Sequence, residues 1–341
     1  MKPQHFVALL AAAVLSLVVA VTAYVSTQPW TAAGSGSAEA MLPALKTSGD
    51  KVTAIEIDQG GKIIKVAEKG GKWVVASQED YPANVEAVRG LLLAASEASL
   101  VERKTAKKDM LKLLGLGDPK ANGAPSRLIR FLDAKDNPVA EIIAGNKEND
   151  AFGASKSGTY VRRPGEDQSW LANRSIDGST TLSDWVKTRV VDQPTDSIKT
   201  TSIEVAGEPA YTIDRDTDGK SHKLSQMPAG KKLKYVNSVE EIIESASYVD
   251  FKSVRKAGKS DALPSAGKVT FETDKGLKVE LNLRSDGKQA WVRVSASGEG
   301  DGKKDAEAMS ALVNGWEFEI PVAKISTLMK KQADLLEDAA S

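Results

Sequence analysis

"VTAIEI" (52–57) and "TTSIEV" (200–205) alternate apolar and polar residues in the same phase and close on the same Ile-Glu-aliphatic step. That alternation marks a half-buried strand. The segments downstream of each stretch decide the fold. Next comes a hairpin pattern, "KIIKVAEKGGKWVVA" (62–76) after the first and "AYTIDRDTDGKSHKLS" (210–225) after the second. A helical period succeeds each hairpin, in "NVEAVRGLLLAASEASLVERK" (84–104) and "SVEEIIESASYVDFKSVRK" (238–256). Val85, Val88, Leu91, Leu92 and Ala95 recur at helical spacing, as do Val239, Ile242, Ile243 and Ala246. Ser238 with Glu241 has the spacing of a capping box.

Each half then carries a second hairpin pattern. "RLIRFLDAKDNPVAEIIAG" (127–145) parallels "KVTFETDKGLKVELNLRS" (268–285), with Phe131 matching Phe271 and sound turn residues in "KDNP" and "DKG". Further strands are expected in "TYVRR" (159–163), "SWLAN" (169–173), "AWVRV" (290–294) and "GWEFEIP" (315–321). The pattern predicts an α+β protein of two tandem similar units, each an antiparallel sheet of hairpins crossed by one helix. The units are placed at 46–180 and 200–322. A helical connector at 181–199 joins them, and a C-terminal helix at 323–341 carries Ile325, Leu328, Met329, Leu335 and Leu336 on one side.

The N-terminal residues are of another kind. "FVALLAAAVLSLVVAVTAYV" (6–25) carries no charge, and at about 1.5 Å per residue it spans roughly 30 Å, the thickness of a bilayer core. Lys2 precedes it and the next basic residue is Lys46, which places the N-terminus in the cytoplasm and the remainder outside. The run exceeds the usual length of a signal-peptide apolar region, which favours an uncleaved anchor at 1–25. A cleaved signal peptide, with "VTA" (21–23) as its cleavage site, is the alternative. Residues 26–45, beginning "STQPWTAAGSGSAEA", read as a flexible linker.

Composition removes several functions. The chain has 341 residues with 46 basic and 46 acidic side chains, so it lacks the net basic charge on which nucleic-acid binding relies. It has no cysteine, which excludes disulfides, thiolate metal sites and a cysteine nucleophile. "IDRDTDGKSHK" (213–223) opens like a calcium loop, with Asp214, Asp216 and Asp218 alternating before Gly219. An EF-hand needs flanking helices and a glutamate at the twelfth position. Here the flanks read as strands and that position is Ser225, so a hairpin tip is the better reading.

Other candidates fare no better. Of two histidines, His5 precedes the apolar run and His222 stands beside a turn, where solvent exposure is expected. No G-x-S-x-G elbow occurs. "AGKSD" (257–261) resembles the end of a phosphate loop, but the upstream glycine position is Ser253. "SDGK" (285–288) has the S-x-x-K spacing on a predicted hairpin tip, whereas serine-lysine enzymes present it at a helix start. Trp73, Trp170, Trp291 and Trp316 fall on strands, where sheet packing is expected before carbohydrate stacking. No catalytic residue, cofactor site or metal site is therefore assigned.

The order of "LPALKTSGDKVTAIEI" (42–57), "GGKWVVA" (70–76), "YPANVEAVRGLL" (81–92), "LLGLGDP" (113–119) and "GTYVRR" (158–163) resembles the bacterial DUF4340 family, a domain of unknown function. The resemblance is clearest over residues 42–200. It implies a partner rather than a reaction, because such proteins accompany gliding-motility-type ABC transporter components as auxiliary membrane proteins. The expectation is a non-enzymatic, single-pass inner-membrane protein with most of its chain in the periplasm. It would serve an ABC-type transport or envelope system through integral membrane partners. The alternatives are a binding module for an envelope glycan or lipid and, third, an envelope hydrolase.

Overall fold

The computed structural model describes residues 39–339. In chain order the first elements are β1 (Glu39–Ala40), α1 (Pro43–Ser48), β2 (Ala54–Gln59), β3 (Lys62–Lys69), β4 (Lys72–Val75), β5 (Tyr81–Pro82) and α2 (Val85–Glu97). They are followed by β6 (Ser99–Arg103), α3 (Lys108–Leu111), β7 (Arg127–Leu132), β8 (Pro138–Glu148), β9 (Gly158–Arg162) and β10 (Ser169–Ala172). Then come β11 (Arg189–Asp192), β12 (Ile198–Val205), β13 (Tyr211–Arg215), β14 (His222–Leu224), β15 (Lys231–Leu233), α4 (Ser238–Ser247), β16 (Tyr248–Asp250) and β17 (Ser253–Lys256). The last are β18 (Ser265–Thr273), β19 (Leu277–Ser285), β20 (Ala290–Gly298), α5 (Gly302–Val313), β21 (Trp316–Glu319), α6 (Val322–Leu328) and β22 (Leu336–Asp338). The protein is a mixed α and β structure with antiparallel sheets and few helices.

Two compact units divide the described residues: 39–65 with 86–180, and 66–85 with 181–339. The β3–β4 hairpin thus starts in the first unit and ends in the second. Its tip is Gly70-Gly71, both with positive φ (57° and 73°), between the paired Lys69 and Lys72. Two left-handed residues make the tight loop whose twist matches the flanking strands.

In the first unit the strand order is β1-β6-β10-β9-β8-β7-β2, with the start of β3 beyond β2. Ile55 and Ile57 of β2, Ile129 and Phe131 of β7, and Ile142 of β8 are buried. Helix α2 turns Val88, Leu91 and Ala95 inward. Around Gly178 the side chains of Ile57, Ile129 and Leu91 converge, so a methyl there would meet all three within 3.4 Å. That convergence is the core, and each fully buried aliphatic side chain in it contributes about 1.5–3 kcal/mol.

In the second unit the order is β14-β13-β12-β18-β19-β20-β21-β17, with two small ribbons, β11–β16 and β15–β22. Val239, Ile242, Ile243 and Ala246 of α4 are buried. Tyr81, carried by the 66–85 segment, meets Phe251, Trp316 and Phe318 edge-on at centroid distances of 5.7, 5.0 and 6.1 Å. Such aromatic pairs contribute about 0.5–1.5 kcal/mol each beyond their buried area.

Several expected boundaries move. The linker does not extend to 45: Met41, Leu42 and Leu45 are buried and β1 pairs with β6. Helix α2 stops at Glu97 and α4 at Ser247, while the rest of each expected helix becomes strand. Leu100 and Leu171, and Val249 and Val254, need sheet partners, and strand pairing satisfies the backbone while burying them.

The capping box is absent. Asn237 holds the N-cap without a side-chain bond, and Ser238 Oγ donates instead to the Tyr235 carbonyl at 2.8 Å. The 181–199 connector is not helical beyond short 3-10 turns; Val190 and Val191 are buried in β11, which pairs with β16. The C-terminal helix ends at Leu328. A 3-10 turn and β22 come after it, pairing Leu336 with Leu233 and Lys231 with Asp338. Among the described residues no helix is long and apolar enough to cross a membrane, and the 6–25 segment lies outside them.

Candidate functional site

The aspartate run closes a hairpin between β13 and β14. Asp214 Oδ1 accepts from Thr200 Oγ1 at 2.6 Å. Asp216 Oδ1 accepts from Lys223 Nζ and the Thr217 amide. Asp218 accepts from the Lys220 and Ser221 amides and from Ser221 Oγ at 2.6 Å, which, with the Ser221 hydroxyl foremost, brings its carboxyl down to about 2. Ser225 hydrogen-bonds Asp214. Each carboxylate is thus occupied by donors of the hairpin itself or of the neighbouring β12. Among the described residues no group of three or more His, Asp or Glu side chains could hold a metal ion. We therefore expect the same melting temperature in calcium and in chelator. A site filled at a hundred times its dissociation constant would add about 2.7 kcal/mol, so a calcium-dependent rise abolished by Asp216→Ala would overturn the turn reading.

His222 is not solvent-exposed as its place beside a turn suggests. Its side chain is fully buried; its amide donates to Glu240 Oε1 at 2.6 Å, Nδ1 lies 2.9 Å from Glu240 Oε2, and Nε2 lies 3.3 Å from the Ile198 carbonyl. The residue ties β14 to the first turn of α4. Leu224, two positions on, is also buried, and that strand alternation is the signal that places His222 inward.

The "AGKSD" stretch does hold an anion, but one of the protein's own. Glu317 on β21 is buried, and its Oε2 accepts from the Gly258 amide at 3.2 Å and Ser260 Oγ at 2.7 Å. Its Oε1 takes Arg255 Nε at 2.5 Å, and Arg293 Nη2 reaches Oε2 at 3.2 Å. Arg293 also bonds Asp261 at 2.6 Å, and Arg255 lies over the Trp291 ring at 3.6 Å. Desolvation pushes the Glu317 carboxyl up, but hydrogen bonds from Ser260, Arg255 and Arg293 and the charge of Arg255 outweigh it and hold it below the ordinary value. The loop's donors are consumed, so this cluster is a structural clamp. "SDGK" lies at the β19–β20 tip, where Asp286 Oδ1 accepts from the Lys288 and Gln289 amides. Trp291 and Trp316 are buried in the sheet, and Trp73 and Trp170 are half-buried on strands.

The recess that sequence reasoning missed lies in the first unit. A cleft of about 560 Å³ is lined by Val101, Lys147, Phe152, Ser155, Lys156, Ser157, Asn173, Arg174 and Ser175. Three elements build it. Strand β6 gives Val101, the far end of β8 gives Lys147, and the loop after β10 gives Asn173–Ser175. The loop 149–157 supplies the rest and is folded on itself, with Asp150 Oδ1 accepting from the Ser155 amide at 2.6 Å. Asn173 is fixed by its Oδ1, which accepts from the Ser99 amide at 2.8 Å.

The lining carries three cations, three hydroxyls and no carboxylate, histidine or thiol. Acids stand at its rim. Arg174 pairs with Glu97 at 2.8 Å, and Lys147 lies 3.9 Å from Asp177. Lys156 has no ion pair among the described residues. Surface pairs of this kind contribute about 0–1 kcal/mol, so an incoming anion can exchange for them. The cleft can hold a phosphate-, sulfate- or carboxylate-bearing group, with Val101 and Phe152 offering an apolar wall. The charge is contributed by residues at 147, 156 and 174, whose separation in sequence hides the cluster from any motif search.

No curated protein and no solved structure matches the chain. A family model, described as a domain of unknown function (DUF4340), matches residues 73–267, which is more than half of the 341-residue chain. That span includes the "LLGLGDP" and "GTYVRR" motifs and every cleft residue. The chain belongs to the DUF4340 family.

Proposed function

We propose that this chain is a membrane-anchored, periplasmic accessory or scaffold protein of an ABC-type transport or envelope system, working by binding rather than catalysis. The anchor is the uncharged 6–25 run, which places the rest of the chain outside the cytoplasm. Two tandem units of one ancestry carry the binding surfaces. Supporting that ancestry, β2, the β3–β4 hairpin and α2 succeed one another as β12, the β13–β14 hairpin and α4 do. The observation that carries the binding reading is the cationic cleft, which offers charge and hydroxyls but no acid-base pair among its lining residues. Tethering to a bilayer raises the effective concentration of a membrane partner, so a modest contact suffices.

The test uses full-length protein extracted in detergent. Integral membrane components should co-purify with it. Lys147→Ala, Lys156→Ala and Arg174→Ala together should cut that capture by at least about tenfold, since a charge-assisted hydrogen bond contributes about 1.5–3 kcal/mol. The reading fails if no integral membrane component is captured, or if the purified protein turns over a cell-wall or glycan substrate. The cleft also favours a second reading, a binding module for an anionic envelope glycan or lipid. In that case the triple variant loses the ligand and keeps its protein partners.

A further inference from the structure

The corner after β6 is unusual in what it exposes. Leu111 and Leu116 are buried with Ile143, and Leu114, Leu128 and Tyr160 pack against them, so the corner is fixed to β7, β8 and β9. Met110 and Leu113 point the other way, 41% and 69% exposed. They lie three residues apart in helical backbone, which puts them on one face. Lys107, Lys108 and Lys112 are exposed around them. Lys108 makes one loose pair, 3.7 Å from Asp167, and Lys107 and Lys112 have none among the described residues. Asp109 is the one acid between residues 104 and 117, against four lysines. Two apolar side chains ringed by cations match an interfacial membrane contact.

Chain direction points the same way. Strand β1 is antiparallel to β6, with Glu39 opposite Leu100 and Ala40 opposite Ser99. The N-terminal end of β1, Glu39, therefore faces toward the Arg103 end of β6, the end that leads directly into the Lys107–Leu113 corner. Residues 26–38 separate that point from the 6–25 apolar run and span at most about 45 Å at full extension.

We propose that Met110 and Leu113 insert into the headgroup layer of an anionic bilayer while Lys107, Lys108 and Lys112 pair with its lipid phosphates. The contact orients the first unit on the membrane. This inference rests in part on the anchor reading above. Each lysine near an anionic surface contributes roughly a fivefold change in partitioning, and the two apolar side chains add to it. In a tethered protein these modest factors act on an equilibrium already confined to the surface.

The chain has no cysteine, so Leu113→Cys carries a single environment-sensitive fluorophore at an exposed position. The labelled full chain is reconstituted into vesicles of phosphatidylglycerol and phosphatidylcholine, or of phosphatidylcholine alone. Spin-labelled lipids then quench probes that sit in the headgroup layer. Quenching and a blue shift are expected in the anionic vesicles. Lys107→Ala with Lys112→Ala should lower the docked-to-undocked ratio about 25-fold. A probe at Leu93, exposed on α2, should stay unquenched.

Carbonate extraction reads the anchor separately. If the protein resists extraction but the Leu113 probe is unquenched, docking is refuted and the anchor stands. If carbonate releases the protein while the probe is quenched in anionic vesicles, docking stands without the anchor. Quenching that needs added membrane proteins and is absent in pure lipid would also overturn the proposal, because a protein would then be the occupant.

Discussion

Glu317→Ala is expected to destabilise the second unit by about 3–5 kcal/mol, the usual cost of removing one partner from a buried charge pair. The side chain is fully buried, and it is the shared acceptor for Arg255, Arg293, Ser260 and the Gly258 amide. Truncation removes the carboxylate partner of Arg255, leaves Arg293 with Asp261 alone, and strands the loop's donors. For a unit of this size, 66–85 with 181–339, the loss corresponds to roughly 6–20 °C in Tm. Glu317→Gln keeps the shape and some of the hydrogen bonds and should fall between. Calorimetry or denaturant unfolding of the full chain reads both. A loss under about 1 kcal/mol for Glu317→Ala would show that the clamp contributes no more than a surface ion pair.

The same carboxylate gives a pH dependence of definite sign. Its folded-state value lies below the ordinary 4.5. The folded state therefore binds the proton less readily than the unfolded chain does, and stability rises with pH across that window. The contribution is complete above about pH 4.5 and is lost as pH falls through the folded value. Other carboxylates titrate nearby, Asp218 among them. The informative quantity is thus the difference between the native chain and Glu317→Gln, which should narrow on acidification.

The residues of this clamp show why sequence pattern reaches some levels of structure and not others. Alternation in "VTAIEI" and "TTSIEV" locates β2 and β12, and the Gly-Gly and Asp-Gly tips locate their hairpins, because those signals are local. Helix ends are misread where apolar residues continue past the last turn. Leu100 and Val249 fit either period, and only their strand partners decide. Glu317 sits between Trp316 and Phe318, so alternation puts it on the solvent face. It is on that face, yet the 257–261 loop and two arginines cover it. The cleft is invisible for the same reason, since Lys147, Lys156 and Arg174 meet only after β8, the 149–157 loop and β10 are in place. His222 is legible in part. The inward phase of Leu224 announces its burial, whereas Glu240 as its partner comes from another element.

The second large effect is expected in the "LLGLGDP" motif, where Gly115→Ala should cost the first unit about 2–5 kcal/mol. Gly115 ends the 3-10 turn at φ +68°, a left-handed conformation that costs a residue with a Cβ about 1–2 kcal/mol. It is also crowded. A methyl there would lie 2.9 Å from the Asn146 amide nitrogen and closer still to the Asn146 side chain, and such overpacking adds about 1–3 kcal/mol. The crowding is reciprocal, because a methyl at Gly145 would strike the Leu114 carbonyl and lie 2.9 Å from that of Gly115. The two glycines let the corner's backbone lie directly on β8, which brings Leu111 and Leu116 into contact with Ile143 and turns Leu113 outward. Gly117→Ala is the control. It meets one side-chain atom at 3.9 Å and should change stability by no more than about 0.5 kcal/mol. Denaturant unfolding of the native chain and the two full-length variants separates the cases. Equal stabilities for Gly115→Ala and Gly117→Ala would mean that the corner rests loosely on β8. The exposed Met110 and Leu113 would then lack the fixed base from which they face outward.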